Sequence, residues 1–239
     1  MTTTKAVIFD FGGTLFSYEG AVQRRGGRAR MLAEWAGYTS DDMGPVVAAV
    51  RSGVARSAEL HFSKPYYLHR DFFADSGRFA AEAIGGSLTD EQALEWAVLM
   101  NGGLGQAVAP RPGLYEMLQA LRDRGVHVGS ASNADCDQFE SMVDALEVRH
   151  LFDSLLCSED AQSCKPDQRI FQIALERAGC APHEAIFVGD TPDHDIVGAE
   201  RAGMRTLLIE ERTELAFHRG DAKDGQATIS ELSEILDHL

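Results

Sequence analysis

Four polar stations in this 239-residue chain carry residue types, at positions, from which chemistry could be done. The first is Asp10, inside the stretch Ala6 to Phe16 with the sequence AVIFDFGGTLF. A short apolar run closed by glycines reads as a strand buried on both faces that stops at Asp10. The adjacent Gly12 and Gly13 permit a tight turn and let the backbone come close to a ligand. A carboxylate delivered at the C-terminal end of a buried parallel strand stands where open α/β sheets bind their ligands. Taken alone, the same position also suits a carboxylate that merely caps the following turn. The other stations are Ser132-Asn133, Lys165, and Asp190 with Asp195 shortly after it. Each has a plainer reading too: Ser132 could cap the next helix, Lys165 could be an ordinary exposed lysine, and Asp195 could sit in a first helical turn favoured by the macrodipole.

The elements that must position these residues follow from apolar periodicity. Strands are expected at Ala6 to Phe9, at Val126 to about Ala131, weakly around Ser154 to Cys157, in the run AIFVGD ending at Gly189-Asp190, and in RTLLIE from Arg205. Helices are expected between them. PGLYEMLQALRDRG has proline at its start and Gly125 at its end, and another helix runs from about Asp137 to Leu146. CKPDQRIFQIALERAG places Ile170, Phe171, Ala174, Leu175 and Ala178 on one face and stops at Gly179. Asp193 to Ala202 and an amphipathic tail in TISELSEILDHL complete the set. This alternation implies an α/β fold with a doubly wound, Rossmann-like, mainly parallel sheet, whose strand ends converge on one face.

From Ser17 to about Gly105 the rhythm is helical only. AVQRRGGRARMLAEWAGY is weakened by Gly26-Gly27, MGPVVAAVRSGVAR is broken at both ends, and YYLHRDFFADSGRFAAEAIGG stops at Gly85-Gly86. Thr89 to Gln92 fits a capping box that opens a further helix through Leu94 and Val98. The predicted organisation is therefore an α/β core of residues 1–16 and 106–239 with an inserted all-helical domain of residues 17–105.

A net charge of −15 speaks against nucleic acid and against anionic membranes as partners, although a small anionic ligand could still bind in a locally basic pocket. The four cysteines, Cys136, Cys157, Cys164 and Cys180, show no Cys-x-x-Cys pairing and read as small core or loop residues in a reducing cytosol. No charged leader or long apolar segment is seen, so a cytoplasmic protein is expected, with monomer and homodimer both left open.

The four stations, in this order, resemble the haloacid dehalogenase superfamily of hydrolases, in its helical-cap subgroup. The pieces are DFGGTL at Asp10, SN at Ser132, KPD at Lys165, and GDTPDHD followed by GAERAGM around Asp190. The resemblance covers the whole chain, with the helical insertion in the place of the family's cap. It implies that Asp10 is a nucleophile forming an aspartyl-phosphate, with Mg²⁺ held by Asp10, the main-chain carbonyl of Gly12 and Asp190, and with Asp195 orienting that site. Ser132 and Asn133 would bond phosphoryl oxygens, Lys165 would pair with phosphate and Asp10, and Gly13 and Thr14 would line the substrate. In the cap, Lys64 or one of His61 and His69 would reach the cleft, within a group of arginines and histidines that suits an anionic substrate.

One departure bears on the activity. The family's phosphatases usually carry an aspartate two residues after the nucleophile as general acid/base, and here that residue is Gly12. A positioned acid/base is worth about 10²- to 10⁴-fold. The family's dehalogenases and phosphonate hydrolases also lack it, but the dehalogenases need no Mg²⁺ and usually lack a Gly-Asp pair such as Gly189-Asp190. The phosphonate hydrolases use a cap lysine, for which Lys64 is the sole candidate here. The resemblance thus implies a Mg²⁺-dependent phosphatase of a small metabolite. A 2-haloacid dehalogenase, a phosphonate hydrolase or a non-catalytic phospholigand-binding protein are the alternatives.

Overall fold

A computed structural model describes residues 3–17, 25–105, 109–210 and 224–239. The chain divides into two compact units, Met1–Glu19 with Val108–Leu239, and Gly20–Ala107.

In the first unit, β1 (Ala6–Phe9) has every residue buried, as the unbroken apolar run requires of a parallel strand covered on both faces. Val7 and Phe9 point into one core layer with Phe11, Leu118, Phe139 and Phe152. Ala6 and Ile8 point into the other, with Ile170, Phe171 and Phe187. The sheet adds β4 (His127–Ser130), β5 (Ala185–Gly189), β6 (Arg205–Ile209) and β7 (Thr228–Ile229), in the order β4-β1-β5-β6-β7, all parallel. The register sets Phe9 beside both Ser130 and Val188. The residues that follow on each strand, Asp10, Ala131-Ser132 and Gly189-Asp190, therefore leave the sheet along one edge.

The helices that cover the sheet are α5 (Leu114–Asp123), α6 (Cys136–Ala145), α7 (Ser158–Ala161), α8 (Gln168–Ala178) and α9 (Val197–Arg201). The stop at Gly179 is a left-handed residue, φ 63°, and the Asp167 side chain caps the start of α8 by accepting the Arg169 N–H at 3.1 Å. A short antiparallel pair, β2 (Phe16–Ser17) with β3 (Ala109–Pro110), ties together the two passages of chain that lead to and from the insertion.

Three expectations are corrected. The weak strand at Ser154 to Cys157 is present only as single bridges, Gly129 with Ser154 and Ser132 with Cys157. The predicted helix from Asp193 opens as a wide π-type turn, Pro192–Ile196, before α9 begins. The tail is not an amphipathic α-helix: β7 pairs with β6, and Leu232–His238 then winds as a 3₁₀ helix. Leu232 and Ile235 are buried in the core, and their spacing of three residues matches the 3₁₀ period.

The second unit contains α1 (Arg25–Trp35), α2 (Gly44–His61), α3 (His69–Ala83) and α4 (Asp90–Gly105). The residues just before Arg25, including Arg24, lie outside the described residues. α2 and α3 approach closely because Gly53 has no side chain: a Cβ there would meet the Ser76 carbonyl at 2.3 Å. Gly77 likewise makes room for the Trp96 ring, 2.5 Å from where its Cβ would stand. The capping box forms as read, with the Gln92 N–H donating to Thr89 Oγ1 at 3.2 Å and the Thr89 N–H donating to Gln92 Oε1 at 2.9 Å. Leu94 and Val98 do not join the core of this helix; they are 54% and 68% exposed, while Ala93, Trp96 and Ala97 are buried.

Candidate active site

Asp10 follows β1 and is fixed at its backbone by donating its N–H to the Val188 carbonyl at 2.9 Å. The chain turns at once, with Leu15 N–H bonded to the Phe11 carbonyl at 3.0 Å. Gly13 is needed here for two reasons. Its φ is 78°, the left-handed region that side chains resist, and a Cβ would lie 2.2 Å from Asp190 Oδ2. The turn and the Asp190 carboxylate are thus packed backbone against side chain.

Lys165 is the electrostatic centre. Its Nζ lies 2.7 Å from Asp10 Oδ1 and 2.6 Å from Asp195 Oδ1, with all three residues buried. Thr14, also buried, donates to Asp10 Oδ2 at 3.4 Å. Asp195 Oδ2 accepts the Thr191 N–H at 3.0 Å, and Gly189 has no room for a side chain beside the Asp195 carboxylate. Half-buried Asp190 accepts from Thr191 Oγ1 at 3.4 Å. Asp10, Asp190 and Asp195 each bring one carboxylate oxygen to within 4.8 Å of the others.

Two buried carboxylates, Asp10 and Asp195, share the one ammonium of Lys165, and Asp190 brings a third carboxylate oxygen close to theirs. Burial pushes the Asp10 carboxyl above its ordinary range; Lys165 pulls it back, and Asp195 adds to the rise. Burial works against the charge on Lys165, but Asp10 and Asp195 outweigh it and raise its pKa. The surplus negative charge, the hard oxygen donors and their convergence fit a small divalent cation such as Mg²⁺.

Ser132 is buried, its N–H donating to the Leu156 carbonyl at 3.1 Å and its carbonyl accepting from Ser158 N–H at 2.8 Å. The side chain of Asn133 is turned to another task. Its Nδ2 donates to the Lys165 carbonyl at 3.0 Å and its Oδ1 accepts the Lys165 N–H at 2.7 Å. It therefore clamps the loop that delivers Lys165. Gly12 lies half-buried within the turn, bridged to Phe16.

Arg111 was not singled out in the sequence. Its guanidinium donates from Nε to the Gly13 carbonyl at 3.1 Å, and from Nη2 to the same carbonyl and to that of Glu210 at 3.1 Å. It pins the glycine turn to the end of β6. An arginine in the sequence RPG carries no local signal for a partner 98 residues away.

In the helical unit, His61 is 4% exposed and its Nε2 is 2.9 Å from Asp75 Oδ2. Its ring packs against those of Tyr67 and Phe72. Lys64 is exposed just past the end of α2, with its N–H bonded to the His61 carbonyl at 3.0 Å. The ring of His69 packs on Tyr67.

With this geometry, residues 4–203 match the family model described as haloacid dehalogenase-like hydrolase. The chain belongs to that family. Among curated relatives it is similar to the glyceraldehyde 3-phosphate phosphatase of Methanothermobacter thermautotrophicus, 34% identical over 53% of this chain and 58% of that protein. It is also similar to (S)-2-haloacid dehalogenase 4A of Burkholderia cepacia, 27% identical over 86% of this chain and 82% of that one. The chain thus spans little more than half the length of the first of these relatives. Among solved structures, a HAD phosphatase from Thermococcus onnurineus has the same fold with a TM-score of 0.70, 23% identity, and coverage of 98% and 97% of the two chains. Among the described residues, no helix of this family member is long and apolar enough to cross a membrane.

Proposed function

We propose that this hydrolase is a Mg²⁺-dependent phosphatase acting on a small phosphorylated metabolite, with Asp10 as its nucleophile. The observation that carries this reading is the buried cluster of Asp10, Asp195 and Lys165 with Asp190 beside it. Asp10, Asp190, Asp195 and the Gly12 carbonyl would hold the ion, which would neutralise charge on the phosphoryl group. Lys165 holds Asp10 Oδ1 at 2.7 Å, and Oδ2, held by the longer bond from Thr14 Oγ1 at 3.4 Å, would attack phosphorus. A bond from Oδ2 to phosphorus forms as the bond from phosphorus to the ester oxygen breaks, and the leaving oxygen departs with the electron pair as an alkoxide that takes its proton from water. Water then cleaves the aspartyl-phosphate, releasing inorganic phosphate and restoring Asp10. Ser132 and the amides of the Gly13-Thr14 turn would donate hydrogen bonds to the phosphoryl oxygens, and Asn133 serves by fixing Lys165.

The decisive experiment is a phosphate-ester panel with and without Mg²⁺, run on the unmodified protein and on Asp10→Asn. Hydrolysis that needs both Asp10 and Mg²⁺ is the expected result; hydrolysis undiminished in Asp10→Asn would refute the reading. A dehalogenase is the second reading, motivated by Gly12 and by the Burkholderia relative. Halide release from 2-haloacids that persists in a chelator would establish it instead. Release of inorganic phosphate from a phosphonate, lost in Lys64→Ala, would favour the third chemistry.

A further inference from the structure

A second group of ligand atoms lies outside that site. Cys136 is the first residue of α6, and Cys157 immediately precedes α7 and bridges to Ser132. Their sulfurs are 3.3 Å apart, and Cys136 Sγ is 3.5 Å from Asp160 Oδ1. The three ligand atoms all lie within 4.8 Å of one another. A tetrahedral ion with bonds of about 2.3 Å to sulfur and about 2.1 Å to a carboxylate oxygen needs S···S near ~3.8 Å and S···O near ~3.6 Å. The S···O edge is already of that length, and the sulfurs would have to part by only about 0.5 Å. The surroundings are anionic as well: the Glu159 carboxylate reaches the same helix start, accepting the Cys136 N–H at 2.7 Å.

We propose that Cys136, Cys157 and Asp160 form a binding site for one thiophilic divalent cation of the zinc class, with the fourth position left to water. The donor set differs in kind from the carboxylate cluster, since two sulfurs select against Mg²⁺. Binding forms two metal–sulfur bonds and one metal–oxygen bond and releases the thiol protons to solvent. A peroxide-driven disulfide is the competing use of paired thiols. A disulfide would use the two sulfurs alone, whereas a third ligand atom, Asp160 Oδ1, converges on the same pair. The ion would join the two segments that flank Ser132-Asn133, because Cys136 follows that loop directly and the segment ending in Cys157 is hydrogen-bonded to the Ser132 backbone. The site stands whether or not the phosphatase reading holds.

The test uses the reduced, metal-free full chain, kept in excess Mg²⁺ so that any oxygen-donor site is filled, and titrated with Cd²⁺ and then Zn²⁺. One equivalent of Cd²⁺ should bind with a thiolate-to-metal absorption band, and Zn²⁺ should displace it and raise the melting temperature. Loss of an outer-shell partner alone costs metal sites about 10- to 100-fold in affinity. Cys136→Ser, which removes a ligand, should therefore cost more and abolish the band. Asp160→Asn, at an exposed position that does not endanger folding, should weaken binding by roughly tenfold or more. Cys180→Ser and Asp10→Asn should bind as the unmodified chain does. A chain that shows no thiolate band at equimolar Cd²⁺, a band unchanged in Cys136→Ser, or an affinity unchanged in Asp160→Asn would each overturn the proposal.

Discussion

The end of the parallel sheet and the interior of the helical unit both bury charged or titratable groups, but they balance them differently. In the helical unit, His61 has Asp75 as its partner, Ser57 donates to the Phe72 carbonyl at 2.7 Å, and Trp96 Nε1 donates to Ser76 Oγ at 3.2 Å. Each of these groups has a partner within its own bundle, while the buried Nδ1 of His61 has no hydrogen-bond partner among the described residues. At the sheet end, Asp10 and Asp195 both pair with the single ammonium of Lys165, and Asp190 brings a third carboxylate oxygen within 4.8 Å of theirs. Closed pairs of the first kind hold a fold together. An unbalanced cluster costs stability unless something binds there, and such clusters mark functional sites.

Breaking the unbalanced cluster should have the largest effect. Asp10→Asn should lower turnover by at least about 10⁴-fold, the scale seen when a nucleophile is removed, while circular dichroism and melting stay close to normal. Turnover within tenfold of normal would remove Asp10 from the mechanism. Lys165→Met comes next. It strips two buried carboxylates of their cation and should cost about 3–5 kcal/mol, the scale for removing one partner of a buried pair. Because the loss arises from uncompensated charge, millimolar Mg²⁺ should recover part of it in thermal melts. No recovery would mean that the carboxylates do not take up a cation.

The helical unit should respond through packing instead. Gly77→Val drives a side chain into the Trp96 ring and should destabilise by about 1–3 kcal/mol, as overpacking does, with no dependence on Mg²⁺. Thr89→Ala removes the cap that bonds Gln92 N–H and should cost about 0.5–2 kcal/mol. Urea melts read both.

The smallest effect concerns His127, whose Nε2 lies 2.9 Å from Ser154 Oγ. Burial holds its pKa below the ordinary 6.5, with Asp153 opposing the shift. A lowered histidine contributes stability above its unfolded value, and that stability is lost as pH falls through 6.5 toward the folded pKa. Melting temperature should therefore fall on the acid side of pH 6.5, and His127→Gln should flatten that part of the profile. An unchanged slope would mean that His127 titrates alike in the folded and unfolded chain.

What the sequence by itself determined is local. The run Ala6 to Phe9 can only be a strand buried on both faces, Gly179 can end its helix, and Thr89 with Gln92 can open one, because each depends on residues within a few positions. Asp10, Ser132, Lys165 and Asp190 were legible as stations for the same reason: each closes such an element or lies in the loop that follows one. The tertiary structure alone decided what those stations touch. Asn133 holds the Lys165 backbone across 32 positions, Arg111 reaches Gly13 across 98, and Gly13 leaves room for the Asp190 carboxylate. Cys136 meets Cys157 in the same way, although the two show no motif spacing. The tail shows the same limit, since its periodicity allowed an α-helix while pairing with β6 and the buried Leu232 and Ile235 gave a strand and a 3₁₀ helix. These outcomes follow from the strand order β4-β1-β5-β6-β7, which sets remote segments side by side through long-range packing that leaves no periodic trace along the chain.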